Sequence, residues 1–225
     1  WLWTLNVKIG HSVRTTKDIE KITKSDLKEF TSLLSNRIIF CHPDQKSKLT
    51  KALFGLSHGW SKSKFYKAKK LEQLQRFASF DSTEFSLEPD LKESPGCLRD
   101  FHTALWILEH CFEVSSLIDC SRLDLFNKKD LVNINKSYCH IKSLRFLLNL
   151  HINSNRISFE NQLLLAKKAR LTATKESSAV ENFMRIFFLH AANLSDFNEM
   201  VFQAYEDQGI TLKRPYTNNF YIFRD

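Results

Sequence analysis

Glycine and proline are scarce in this sequence, which has five glycines and four prolines among 225 residues. Three of these nine residues, Pro89, Pro95 and Gly96, nevertheless fall within eight positions. Because both residue types disfavour a helix interior, they predict an extended turn over residues 86–100. That stretch also carries charges of both signs, which is typical of a loop that positions polar groups or of a solvated connector between domains.

Signals of several other protein classes are absent as well. No apolar run reaches the length of a membrane span, and no stretch of the sequence has the pattern expected of a signal peptide. The five cysteines are odd in number and lack Cys-x-x-Cys spacing, which disfavours a disulfide framework or a zinc site. None of the eight histidines is followed by Asp, so a His-Asp metal phosphohydrolase motif is missing. With 43% hydrophobic and 26% charged residues, we expect a soluble cytoplasmic protein with reduced thiols.

The basic residues are concentrated in the first third of the chain. Residues 1–80 contain 16 Lys and Arg against six Asp and Glu, whereas residues 81–225 contain 17 against 19. Such an excess suits a phosphate-bearing ligand or a nucleic acid, and equally a solvated lysine-rich helix face. A nucleic-acid partner is disfavoured, because no aromatic–basic recognition motif accompanies the charge.

Apolar periodicity predicts one strand followed by helices. Residues 1–9 alternate as a strand does, and because the chain opens on Trp1-Leu-Trp3 inside that pattern, we expect a piece of a longer protein. Helical spacing extends from Phe101 to Phe112, and Ser178 and Glu181 form a capping box before the last helix. The other predicted helices cover residues 16–39, 46–54, 61–80, 127–153, 158–171 and 178–209. The predicted fold is mainly α: a remnant strand followed by a bundle-like helical domain.

Within residues 86–100, Leu87-Glu-Pro-Asp90 is followed by Pro95-Gly-x-Leu-Arg-Asp100. This pattern resembles the hallmark loop of the bacterial PII-protein uridylyltransferases, the bifunctional uridylyl-transferring and uridylyl-removing enzymes of nitrogen regulation. We call residues 86–100 the hallmark loop. Four further segments resemble the family in order and spacing: Gly10-His-Ser-Val-Arg-Thr15; Asp26-Leu27 with Thr31, Leu33, Leu34 and Arg37; Phe65-Tyr-x-Ala-Lys69 with Glu72, Gln73 and Arg76; and Ala179-Val-Glu-x-Phe-Met-Arg185 with His190.

The resemblance implies a domain organisation and an activity. Residues 1–90 would be the C-terminal part of a polymerase-β-like nucleotidyltransferase domain, residues 91–210 a helical linker domain, and residues 211–225 an exit segment. Such enzymes transfer UMP from UTP to a tyrosine of the PII signal protein, with Mg²⁺ as cofactor and glutamine as effector. The tyrosine hydroxyl attacks the α-phosphorus in line, Mg²⁺ stabilises the developing charge, and pyrophosphate leaves.

The resemblance also implies candidate site residues. The candidate nucleotide or phosphate contacts are His11, Ser12, Arg14, Arg37, Lys69 and Arg76. The polar or conformationally special positions of the hallmark loop are Glu88, Asp90, Lys92, Gly96, Arg99 and Asp100. Arg can grip phosphate bidentately and Lys supplies a point charge. Without the resemblance, a solvated helix charge is the better explanation of Arg37, Lys69 and Arg76, and His11, Ser12 and Arg14 are equally well explained as caps of the following helix.

Two positions depart from the family pattern. Thr4 and Lys8 stand where, by our alignment, the family carries Asp and Glu, although a shifted alignment of the strand would give the same mismatch. The family's upstream Gly-Gly or Gly-Ser turn and its Asp-x-Asp pair have no match in this sequence. We therefore expect no catalytic or metal-binding residue in this chain and no activity from it alone. The alternative is a non-catalytic interaction module of a degenerate nucleotidyltransferase.

Overall fold

The computed structural model describes residues 4, 10–22, 24–55, 59–79, 86–114, 116–123, 125–174 and 177–207. The α-helices within these ranges are α1 (Thr16–Ile22), α2 (Leu27–Leu34), α3 (Pro43–Phe54), α4 (Lys62–Ala78), α5 (Leu98–Phe112), α6 (Lys128–Ile152), α7 (Phe159–Lys168) and α8 (Ala179–Glu206). A 3₁₀ helix covers Asp119–Arg122. The mainly α prediction is therefore confirmed.

Strand structure in the described ranges is limited to one isolated antiparallel bridge, between Asp90 and Arg156. The predicted strand at residues 1–9, including Lys8, lies outside the described residues except for Thr4, which is exposed. The predicted exit segment at residues 211–225 also lies outside them. Among the helices that are described, none combines the length and apolar composition needed to cross a membrane.

The chain divides into two compact units, residues 1–68 and residues 69–225, with the division inside α4. The predicted domain boundaries near residues 90 and 210 follow the organisation of the family, and they stay predictions. Each unit has its own core, so the two are described in turn.

In the first unit, α1 packs against α3, and Phe30 of α2 is buried against aromatic rings. The Phe30 ring meets Phe65 edge-on with centroids 5.4 Å apart, and Trp60 lies 6.3 Å away. The prediction of one helical element over residues 16–39 was wrong. A new helix begins after Asp26, whose carboxylate accepts hydrogen bonds from the backbone N–H groups of Lys28 and Glu29 at 2.8 and 3.1 Å.

The second unit is built around α8, which packs against α5, α6 and α7. Its predicted apolar stripe is confirmed, since the following members are buried: Phe183, Phe187, Ala191, Leu194, Phe197 and Val201. Each large apolar side chain buried in this way contributes about 1.5–3 kcal/mol. The predicted capping box is also present: Glu181 N–H donates to Ser178 Oγ at 3.2 Å, and Ser178 N–H donates to the Glu181 carboxylate at 2.6 Å.

Local signals set the ends of the other long helices of this unit. Asn127 and Asp130 form a second capping box at the start of α6, and Asn153 ends that helix with a φ of 52°. Helix α5 begins at Leu98, three residues earlier than the predicted apolar stripe, so the prediction of an extended turn was wrong for residues 98–100. The reason is that the Asp100 carboxylate accepts the Gly96 N–H at 2.6 Å, which secures the first turn.

Candidate functional site

The hallmark loop folds as a tight turn around Asp90. Its carboxylate oxygen accepts the backbone N–H groups of Lys92 and Glu93, both at 2.8 Å, and its own N–H donates to Ser94 Oγ at 2.8 Å. An Asp side chain that accepts the backbone N–H groups two and three residues ahead supplies hydrogen bonds that backbone carbonyls would supply in a helix or a sheet. The Asp90 carboxylate therefore shapes the loop backbone.

Gly96 brings the loop into direct contact with α8. Its φ is +71°, a conformation that side chains rarely adopt, and a Cβ built on it would lie 2.4 Å from the carbonyl oxygen of Ala191. Glycine is thus required here by both the backbone conformation and the close approach to α8.

A buried ion pair joins α4 to the start of α5. The Arg76 guanidinium bonds to the Asp100 carboxylate, and the two side chains are only 10% and 1% exposed. The same guanidinium donates to the Glu93 carbonyl at 2.7 Å, so it holds the loop as well. The Asp100 carbonyl accepts from Asn198 Nδ2 of α8 at 2.9 Å. Arg76 and Asp100 therefore connect α4, the loop, α5 and α8.

The other side of the loop fixes the start of α7. Leu91 N–H donates to the Asn155 carbonyl at 2.8 Å. The Glu88 carboxylate accepts the Phe159 N–H at 2.9 Å and pairs with the exposed Arg156 at 3.1 Å. A carboxylate at a helix N-terminus satisfies an unpaired N–H and interacts favourably with the helix dipole.

Lys69, a candidate phosphate contact, is buried under Trp106. Its ammonium lies 2.7 Å from the Glu72 carboxylate and 4.3 Å from the centre of the Trp106 ring. Burial lowers the pKa of Lys69, the bond to Glu72 opposes that shift, and the positive charges of Arg99 and Arg76 add to it.

Arg99 is held by Glu93 within the hallmark loop. Its Nε and Nη2 donate to the two oxygens of the Glu93 carboxylate at 3.2 and 2.9 Å, and Lys92 lies 2.9 Å from the same group. Burial alone would raise the pKa of Glu93, but the hydrogen bonds and charges of Arg99 and Lys92 lower it to about 2.

The remaining candidates lie in the first unit. His11 and Ser12 are exposed, and so is Arg37, which follows α2. Arg14 is bonded to the Glu29 carboxylate at 2.6 Å, and this hydrogen bond raises the pKa of Arg14. The role of all six candidate residues in nucleotide binding stays a prediction.

A group of side chains that the sequence analysis missed lies on α5 and α6. The His102 ring is 6.0 Å from both the Trp106 and the Tyr138 rings, and the Lys142 ammonium is 5.4 Å from the Tyr138 ring. Burial lowers the pKa of His102 to about 4, and the nearby charges of Arg99, Arg145 and Lys142 contribute. We call this group the α5–α6 cationic cluster; its members are Arg99, His102, Trp106, Tyr138, Lys142 and Arg145.

Spacing was the signal that could have revealed this cluster. Arg99, His102 and Trp106 are spaced by three and then four residues. Tyr138, Lys142 and Arg145 are spaced by four and then three residues. Residues at these intervals share one helix face.

Metal binding is a separate question. The part of the chain that the structure describes contains no group of three or more His, Cys, Asp or Glu side chains that could hold a metal ion. No set of ligands for the Mg²⁺ that the resemblance implies is therefore assigned within the described residues, and no chemical step is assigned to such an ion.

Comparison of the sequence with known proteins identifies a family. A family model described as GlnD PII-uridylyltransferase matches residues 64–202, which include the hallmark loop. The chain is 31% identical over 212 residues to the bifunctional uridylyltransferase/uridylyl-removing enzyme of Photobacterium profundum, covering 93% of this chain and 24% of that protein. It is 29% identical over 214 residues to the enzyme of the same name from Hydrogenovibrio crunogenus, covering 92% of this chain and 24% of that protein.

The chain thus spans about a quarter of the length of the curated relatives it matches. No solved structure matches it. Because the family model covers more than half of the 225 residues, the chain belongs to the GlnD PII-uridylyltransferase family.

Proposed function

We propose that this chain is the part of a PII-uridylyltransferase that contains the end of the nucleotidyltransferase domain and the helical linker domain. The parent enzyme would transfer UMP from UTP to a tyrosine of the PII protein, with glutamine as effector, in the cytoplasm. The observation that carries this proposal is the family match over residues 64–202, which spans the hallmark loop and the helices bonded to it.

The hallmark loop would serve this function as a structural connection. It contacts α4 through Arg76, α7 through Glu88 and α8 through Gly96. A loop bonded to three helices fixes their arrangement, and a rigid arrangement is what a cleft built from separate segments requires.

Alone, the chain would be catalytically inactive. Two-metal phosphoryl transfer needs acidic ligands. In our alignment Thr4, which is neutral, and Lys8, which is positively charged, stand where the family pattern has carboxylates. The Asp-x-Asp pair that would supply the other ligands has no match in the sequence.

The test is a UMP-transfer assay with labelled UTP, Mg²⁺ and purified PII protein, with the enzyme of Photobacterium profundum as positive control. We expect no transfer by this chain, and none by the Thr4→Asp/Lys8→Glu variant, since the upstream carboxylates would still be missing. Turnover by the unchanged chain would contradict the inactivity, and turnover by the variant alone would show that the other metal ligands lie within these residues.

A non-catalytic interaction module is the second candidate, and exposed apolar side chains on α6 favour it. Phe146 and Leu150 are 64% and 62% exposed, one turn apart on the same helix. Titration of labelled PII protein with this chain would detect such a role. Binding that Phe146→Ser weakens, and that Lys136→Ser does not, would support the module; binding that neither change affects would exclude this face.

A further inference from the structure

We propose that the α5–α6 cationic cluster binds a phosphate group of a small anionic ligand, with Arg99, Arg145 and Lys142 as the contacting cations. This inference goes beyond UMP transfer, because it concerns residues of the second unit alone and requires neither Mg²⁺ nor the PII protein. Four observations support it.

The first observation is that, among the described residues, the Arg145 guanidinium is held by a hydrogen bond from its Nε alone. Its Nε donates to Asn155 Oδ1 at 2.8 Å, and the Asn155 carbonyl accepts the Leu91 N–H of the hallmark loop. In the described ranges neither terminal nitrogen of Arg145 has a hydrogen-bond partner. A guanidinium held at Nε presents its two terminal N–H₂ groups as a fixed pair of donors, the geometry that grips phosphate.

The second observation is that Arg99 is arranged in a similar way. The Glu93 carboxylate accepts hydrogen bonds from Arg99 Nε and Nη2, whereas Nη1 has no hydrogen-bond partner among the described residues. The Arg99 side chain is 26% exposed and is held by Glu93, so little further side-chain freedom would be lost when Nη1 donates to a ligand.

The third observation concerns Lys142 and the rings beside it. The Lys142 side chain is exposed, has no acidic partner within the described part of the chain, and lies over the Tyr138 ring. His102 stands between Tyr138 and Trp106, and the lowered pKa of His102 keeps its ring neutral at pH 7, where one ring nitrogen carries a proton to donate.

The fourth observation is that the neighbouring acidic groups are already occupied. Glu72 is bonded to Lys69, and Glu93 is bonded to Arg99 and Lys92. The cluster therefore retains net positive charge from Lys142 and Arg145. Cations gathered around partly buried rings are typical of sites for phosphate groups.

The experiment is isothermal titration calorimetry of the 225-residue chain with pyrophosphate in low salt, without Mg²⁺. Lys142→Gln is the decisive variant, because this exposed side chain can be changed without disturbing the core. Its control is Lys136→Gln, which removes the same charge from another face of α6, where Lys136 is exposed. We expect Lys142→Gln to weaken binding about tenfold and Lys136→Gln about twofold or less.

Arg145→Gln should weaken pyrophosphate binding at least as much as Lys142→Gln, provided that its melting temperature matches that of the unchanged chain. Equal weakening by Lys142→Gln and Lys136→Gln, or no detectable binding at about 10 mM pyrophosphate, would overturn the proposal.

Parallel titrations with UTP and inorganic phosphate identify the ligand that supplies the phosphate group. Tighter binding of UTP than of pyrophosphate would support a nucleotide, and equal binding would support an inorganic anion. Because these titrations measure binding alone, their failure is distinguishable from failure of the proposed UMP transfer.

Discussion

The Asp100→Asn substitution tests the structural role of the hallmark loop most directly. It replaces a carboxylate by an amide of the same shape and leaves the Arg76 guanidinium with no negative charge to balance it. The two side chains are 1% and 10% exposed, so water cannot compensate the loss. Removing one partner of a buried ion pair costs about 3–5 kcal/mol. Both Asp100 oxygens accept hydrogen bonds, one from Arg76 and one from the Gly96 N–H, so the NH₂ group of Asn would face a donor. We therefore expect a loss of at least about 3 kcal/mol, which is a large part of the roughly 5–15 kcal/mol typical of a domain.

Urea unfolding followed by circular dichroism would measure this change in the free energy of unfolding. The matched control is Arg156→Gln, which breaks the ion pair of Glu88 with a side chain that is 62% exposed. An exposed pair contributes about 0–1 kcal/mol, so the control should scarcely alter the midpoint. The double variant Arg76→Gln/Asp100→Asn should lose less than the sum of its single variants. If Asp100→Asn cost no more than Arg156→Gln, the reasoning about the buried pair would be refuted.

Three further changes test the same unit. Gly96→Ala should lower the free energy of unfolding by more than about 2 kcal/mol, because the residue has a positive φ and its added Cβ would collide with the Ala191 carbonyl. The control in the same urea titration is Gly55→Ala, which should be neutral or stabilising because an added Cβ there meets nothing within 4 Å. The lowered pKa of Glu93 gives stability that is present above the ordinary pKa of 4.5 and is lost as pH falls toward about 2. Glu93→Gln should therefore flatten the plot of unfolding free energy against pH over that interval, and an unchanged plot would contradict the bond to Arg99. Ser178→Ala should cost about 1 kcal/mol through loss of the α8 capping box, and a thermal melt with no shift would argue against that cap.

Features encoded by neighbouring residues were predictable from the sequence. The capping box of Ser178 and Glu181 and the buried face of α8 depend on spacings of three and four positions, and both are present. The split between α1 and α2 was also encoded locally, because Asp26 is a strong N-cap. It was missed because the apolar periodicity continues through that cap, and periodicity alone does not show where a helix begins.

The partners of the candidate site residues could not be predicted in this way. Arg76 and Asp100 are 24 positions apart, and Asn198 meets Asp100 across 98 positions. A single sequence gives the type of each residue but not which distant residue it faces, so Arg76 looked like an available phosphate contact. Its burial and its bond to Asp100 depend on the packing of α4 and α5 in the second unit.

The internal bonds of the hallmark loop change what a substitution in it can reveal about the family's chemistry. Asp90, Asp100 and Glu88 each hold backbone N–H groups that would otherwise be unpaired, so variants at these positions would lose activity through loss of structure even if no substrate touched them. Reduced UMP transfer by such a variant of a full-length relative would therefore identify a binding residue only if the unfolding free energy of the variant were unchanged.

Lys142 meets that condition better, because its side chain is exposed and has no acidic partner within the described residues. A loss of binding at Lys142 with unchanged stability would point to contact with a ligand, whereas the same loss at Asp100 would not.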